Sequence, residues 1–177
     1  MLLTAIFEIA GRTLGVNPVR TLLHFSGKTS LNLLIATLLV TPLSVWSGNK
    51  MFLSVRRMLG LYAFFYACLH FLIYTGLELD FNFKDLKIEI TKRPYIIIGM
   101  IALIGLTLLA LTSTRKMMRR LGKNWQYLHA LIYPISILTV VHYYWQVKID
   151  VREPLLYAGV LSFLLFWRVL RKVYKTN

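Results

Sequence analysis

Four histidines stand out for what they could do: His24, His70, His129 and His142. The last three lie inside long apolar runs, where an ionisable side chain is a candidate for function. A lone histidine in such a run is more often satisfied by a hydrogen bond across a helix interface, worth about 1 kcal/mol. Three on two runs point further. His70 lies eight residues before Glu78 and His142 six before Lys148. On helices running the same way, those intervals are depths of about 12 and 9 Å. Two imidazoles at one level, on separate rigid elements, are what a six-coordinate heme iron requires.

His129 sits thirteen residues before His142, about 20 Å deeper and about 140° around a straight helix. Pro134, between them, removes a backbone donor, so a kink can re-aim one ring. His24, beside Ser26 and Gly27, reads as a loop or cap residue rather than a ligand. Gly60, Ala63, Ala67, His70 and Tyr74 follow a 3,4,3,4 spacing and form one helical stripe. Its small residues leave room below His70 for a flat macrocycle, and they serve close helix packing equally well. Cys68 is the only cysteine. An internal disulfide, a four-cysteine iron–sulfur site and covalent heme attachment are thereby excluded.

The elements that position these residues are membrane spans. The chain is 57% hydrophobic with a mean hydropathy of +0.61, above the ~45–50% apolar content of soluble domains. The excess lies in nearly charge-free runs long enough to cross a ~30 Å hydrocarbon core. Five spans are expected: Thr29–Trp46, Met58–Leu77, Tyr95–Thr112, Trp125–Val147 and Pro154–Leu170. All should be helical, because no alternation suits a barrel and lipid tolerates no unpaired backbone. Pro94 and Pro154 suit span starts. Trp46, Trp125, Tyr143, Tyr144, Trp145 and Trp167 cluster near span ends as an aromatic belt. The expectation is one all-α integral membrane domain, residues 1–177, with 1–28 an outer segment that could be the remnant of a first helix. No internal repeat is evident, and the N-terminus, with Glu8 and no basic region, does not read as a signal peptide.

A net charge of +14 could suggest nucleic acid, but the bases sit in short clusters beside apolar runs, as orientation signals do. Alternating connections place twelve bases on one side: Lys50, Arg56 and Arg57, then Arg115 to Lys123, then Arg168 to Lys175. The other side receives nine bases and every acid, from Glu8 to Glu153. The richer side should be cytoplasmic, and the C-terminus with it.

The stretches GVNPVRTLLHFSGKTSLNLLIATLLVTPL, RRMLGLYAFFYACLHFLIY, TKRPYIIIGM, LTSTRKMMRRLGKNWQYLHALIY and VHYYWQVK cover nearly the whole chain. With LGKNWQYLH the most specific, they make the sequence resemble the MsrQ (YedZ) family. These are heme-binding membrane subunits of periplasmic methionine sulfoxide reductase systems, in the ferric-reductase-like transmembrane group. The family's three heme-associated histidines fall on His70, His129 and His142. The resemblance implies six spans, heme b, FMN, and a bacterial inner-membrane location. It also implies electrons taken from the quinone pool and passed to a periplasmic molybdopterin subunit, which reduces methionine sulfoxide in oxidised proteins. The chain itself would carry out no methionine sulfoxide chemistry.

Two departures stand against the pattern. Against the six spans the resemblance implies, a first helix would be largely absent here, and Arg56, Arg57 and Met58 occupy the region where related reductases carry a further histidine. His129 therefore lacks an evident partner ligand. Lys123 and Trp125 are weak candidates for holding propionates or flavin. No nucleotide fingerprint or phosphate loop is present. The alternatives are a self-contained ferric or quinone reductase, or a small transporter relaying protons or metal through its histidines.

Overall fold

Backbone buried in lipid must satisfy its hydrogen bonds internally, and helices do so within one segment. The computed structural model describes residues 17–49, 51–147 and 149–176. Among them are helices and short connections, with no strand; residues 1–16 of the expected outer segment lie outside them.

Helix α1 spans Pro18–Trp46. The Asn17 side chain accepts from the Arg20 amide at 3.3 Å, and Pro18 opens the first turn, where its missing N–H is harmless. The helix thus starts well before the expected Thr29, and Pro18–Lys28 belongs to it. Its 29 residues reach about 44 Å, more than a bilayer core needs. Inside it, Pro42 cannot donate to the Leu38 carbonyl. Arg168 does so instead, from Nη2 at 2.7 Å.

Helix α2, Phe52–Ile73, returns antiparallel and ends in a π-turn at Tyr74–Glu78. These two helices form the most extensive pair in the fold. Ser30 Oγ donates to the Ala63 carbonyl across the pair at 2.9 Å, a close approach that small residues permit. Gly60 also faces α1, at Thr37, so the lower part of the small-residue stripe serves packing.

Beyond the π-turn, Asp80 and Phe81 are left-handed, with φ of 47° and 55°. The Phe81 amide donates to the Thr75 carbonyl at 2.8 Å, and its ring covers Gly76. The reversal feeds α3, Phe83–Lys92, capped by Asn82. This short helix was expected as loop. It is amphipathic, with Phe83, Leu86 and Ile90 on one face among three lysines, the composition of a helix lying along a membrane surface.

Helix α4 spans Pro94–Leu111 and opens on its proline. Helices α5, Arg115–Leu121, and α6, Lys123–His129, follow and join at Gly122. The expected span Trp125–Val147 is divided. Ala130 and Leu131 separate α6 from α7, Ile132–Gln146, and Pro134 lies in the first turn of α7. Without an N–H at Pro134, the Ala130 carbonyl has no helical donor four residues on, and the chain begins a new helix. Helix α8, Arg152–Thr176, completes the bundle. Among the described residues, α1, α2 with its π-turn, α4 and α8 are long and apolar enough to cross a membrane. The 15 residues of α7 rise about 22 Å, and that helix packs against α4 and α8.

One end of the bundle holds the α1–α2 connection, α5 and the end of α8; it is the basic face. The other holds the π-turn, α3, the start of α8 and every acid among the described residues. At this mixed-charge face Lys28 pairs with Glu153, which also accepts from Tyr143 Oη at 2.7 Å.

Candidate functional site

Between α1, α2, α4 and α7, toward the mixed-charge face, the helices enclose a cavity of about 590 Å³. Pockets for cofactor-sized molecules run from about 300 to 1,000 Å³. Its inner wall is mostly apolar, with Leu31, Phe71, Leu103 and Leu106 beside the small Ala67 and Ala102. His70 and His142 face each other in it, ring centroids 6.3 Å apart and ring planes at 89°. The two histidines that helical rise places at one level are thus side by side in the structure.

Each ring is held in the same way. His70 Nδ1 lies 3.0 Å from the Leu23 carbonyl of α1. His142 Nδ1 lies 2.7 Å from the Tyr95 carbonyl of α4. A bond to a carbonyl requires a proton on Nδ1, which leaves Nε2 as the lone-pair nitrogen in both rings. The carbonyl in each case is 47 residues before its histidine. One turn further along each supporting helix is a glycine against which the ring rests. A Cβ on Gly27 would lie 3.0 Å from His70 Nδ1, and one on Gly99 would lie 2.8 Å from His142 Nδ1. The α1–α2 and α4–α7 pairs thus present two equivalent seats, Gly27 with Leu23 and Gly99 with Tyr95. Neither glycine was singled out from the sequence. The available signal was the repeated interval from glycine to histidine, visible only once the helices are known to pair.

The geometry fits a flat metal macrocycle between the rings. Imidazole nitrogens bind metals at about 2.0–2.1 Å, and each ring centre lies about 1.1 Å behind its nitrogen, so linear coordination separates the centroids by about 6 Å. Ligating histidines normally donate their second nitrogen to a carbonyl or carboxylate, as both do here.

The mouth of the cavity carries four bases, Arg20, Lys28, Lys92 and Arg93, and one acid, Glu78. Lys28 is paired with Glu153, and Arg93 with Glu89 at 2.9 Å. His24, expected in a loop or cap, lies on α1 at this mouth and is exposed.

His129 is not brought to the cavity. It ends α6 near the basic face, with Nε2 3.1 Å from Thr112 Oγ1 and its ring stacked on Trp125 at 4.0 Å. Trp125 donates its Nε1 proton to the Thr112 carbonyl at 3.0 Å. These contacts lock the α4–α6 junction, and neither Trp125 nor Lys123 reaches the cavity. Among the described residues no three of histidine, cysteine, aspartate and glutamate gather as a metal site.

Residues 26–140 match the family described as ferric reductase like transmembrane component. The chain is 48% identical over 168 residues to the protein-methionine-sulfoxide reductase heme-binding subunit MsrQ of Xanthomonas axonopodis pv. citri (strain 306), covering 95% of this chain and 77% of that protein. The protein of the same name from Xanthomonas campestris pv. campestris (strain 8004) is 49% identical over 160 residues, 90% of this chain and 73% of its own length. That from Xanthomonas oryzae pv. oryzae (strain MAFF 311018) is 46% identical over 168 residues. With its apolar helices and this match, the chain is a multi-pass membrane protein of the ferric-reductase-like transmembrane group, and it belongs to the MsrQ family.

Proposed function

We propose that the chain is a heme b electron-transfer subunit in which His70 and His142 are the axial ligands. The observation that carries this reading is the opposed imidazole pair in the cavity, each Nδ1 fixed on a carbonyl and each ring on a glycine. Heme held by His70 and His142 in this site would supply a one-electron carrier. The protein's part is to hold the two nitrogens in line and to keep water away with an apolar wall. At the mouth, Arg20 and Lys92, which have no carboxylate partner among the described residues, supply the cations that propionates require. His129, held by Thr112 and Trp125, is read as a relay position toward the basic face, without a ligand partner of its own.

The names of the relatives support a methionine sulfoxide reductase as the partner, the basic clusters support the orientation, and the rest of the reading rests on the family resemblance. The mixed-charge face would be periplasmic, in a bacterial inner membrane. The cavity would then pass electrons from the quinone pool to a periplasmic molybdopterin methionine sulfoxide reductase. FMN, expected from the resemblance alone, is given no site.

The test is the visible spectrum of protein purified from membranes. A reduced-minus-oxidised b-type signal is expected, and His70→Ala or His142→Ala should each lose most of the heme, because one remaining imidazole leaves a coordination position open. Full heme with an unchanged low-spin spectrum in either variant would refute the pairing. Absence of any heme signal would favour the transporter alternative.

A further inference from the structure

A second charged cluster, far from the cavity, lies at the basic end of the bundle. Arg168 of α8 is half-buried. Its Nη1 donates to Tyr133 Oη at 2.5 Å, its Nη2 to the Leu38 carbonyl at 2.7 Å and to Thr41 Oγ1 at 3.1 Å. Its Nε–H is buried and has no partner. Arg56 of α2, also half-buried, comes up beside the same Tyr133 and Arg168. Two guanidinium groups thus share one hydroxyl where water is scarce. No carboxylate is available to either, since every acid among the described residues is at the other face. Like charges gathered in a low-dielectric site call for an anion.

The surroundings say which kind. Next to Arg168, Trp167 packs edge-on against Trp46 of α1 at 5.8 Å, and Arg171 lies 5.5 Å from the Trp167 ring. Aromatic and basic side chains together mark a bilayer interface. Phe166 and Val169, flanking them on α8, are 62% and 61% exposed, as lipid-facing residues are. Basic pockets between helices at this level bind the phosphates of anionic lipids.

We propose that Arg56 and Arg168 form a binding site for the phosphate of an anionic phospholipid headgroup, in the leaflet at the basic face. The phosphate accepts from the Arg56 fork beside Arg168, neutralises the pair, and joins α2 to α8. The proposal does not depend on the reading of the cavity.

Thermal unfolding of detergent-solubilised full-length protein, with phosphatidylglycerol or phosphatidylcholine added, tests it. Phosphatidylglycerol should raise the Tm of the wild type and phosphatidylcholine should not. Arg56→Gln should bind phosphatidylglycerol about tenfold more weakly, as the loss of a charge-assisted fork implies, while keeping its helical circular dichroism. Arg168→Lys retains the charge without the fork and should fall between. Equal stabilisation of wild type and Arg56→Gln by phosphatidylglycerol overturns the site. Inorganic phosphate that protects the wild type as well as the lipid does overturns the lipid as its source.

Discussion

His70 and His142 occupy equivalent seats. Each directs Nδ1 to a carbonyl 47 residues earlier and rests on the glycine one turn beyond it, on α1 for one and on α4 for the other. The correspondence gives both rings the same tautomer, with Nε2 left free to bind a metal. It also shows a repeat of helical pairing, α1–α2 and α4–α7, where the sequence shows none.

The glycines are therefore as consequential as the histidines. In Gly99→Ala the new methyl would lie 2.8 Å from His142 Nδ1, and in Gly27→Ala 3.0 Å from His70 Nδ1. A ring pushed off its carbonyl loses its alignment, and displacement by 1 Å is enough to spoil coordination. Both variants should assemble in the membrane yet bind heme poorly or show a high-spin fraction, Gly99→Ala the more severely. A wild-type low-spin spectrum in Gly99→Ala would mean that the seat does not set the ring.

Much of this architecture is legible in the residues. The apolar runs mark the membrane helices, and helical rise puts His70 and His142 at one level. What escapes depends on pairing between distant segments. Gly27 and Gly99 matter only because α1 and α4 carry rings from α2 and α7. Helix α3 escapes because its apolar residues are few and scattered among charges, and its stability comes from the Asn82 cap and packing on α4. The split of the fourth expected span is half legible. Pro134 marks the place, but the break falls just before it, at Ala130 and Leu131, where the Ala130 carbonyl accepts from the Tyr133 amide at 3.1 Å in place of the donor Pro134 lacks.

Arg168 also has a structural duty that can be isolated. It satisfies the Leu38 carbonyl that Pro42 leaves without a donor. Arg168→Met should destabilise the protein by about 1–2 kcal/mol in a detergent unfolding assay, the cost of leaving a buried acceptor unpaired. Adding Pro42→Ala restores an N–H four residues on and should recover part of that loss. In the wild-type background the same Pro42→Ala should give a smaller gain. Strict additivity of the two substitutions would show that the carbonyl is not their link.

Orientation can be read by labelling. In a Cys68→Ser background, a cysteine at Asn82, the α3 cap, should react with an impermeant reagent from the periplasm, and one at Asn124, in α6, should not. The basic clusters make that the expected pattern. The reverse result would invert the electron path while leaving the cavity reading untouched.

The final prediction concerns where electrons leave. The cavity opens at the face carrying α3, whose Lys84, Lys87 and Lys92 alternate with Asp85 and Glu89. A surface of mixed charge suits brief, salt-sensitive encounters rather than a permanent interface. On the proposed function, protein reduced with a quinol should be reoxidised by a periplasmic molybdopterin methionine sulfoxide reductase, more slowly as ionic strength rises past the point where the Debye length falls below about 10 Å. Lys84→Glu with Lys87→Glu should change that rate several-fold and leave the heme spectrum as it was, because neither lysine lines the cavity. Stopped-flow absorbance at the heme band follows both. Should the molybdoenzyme leave the heme reduced while ferric chelates oxidise it rapidly, the chain is better understood as a reductase complete in itself.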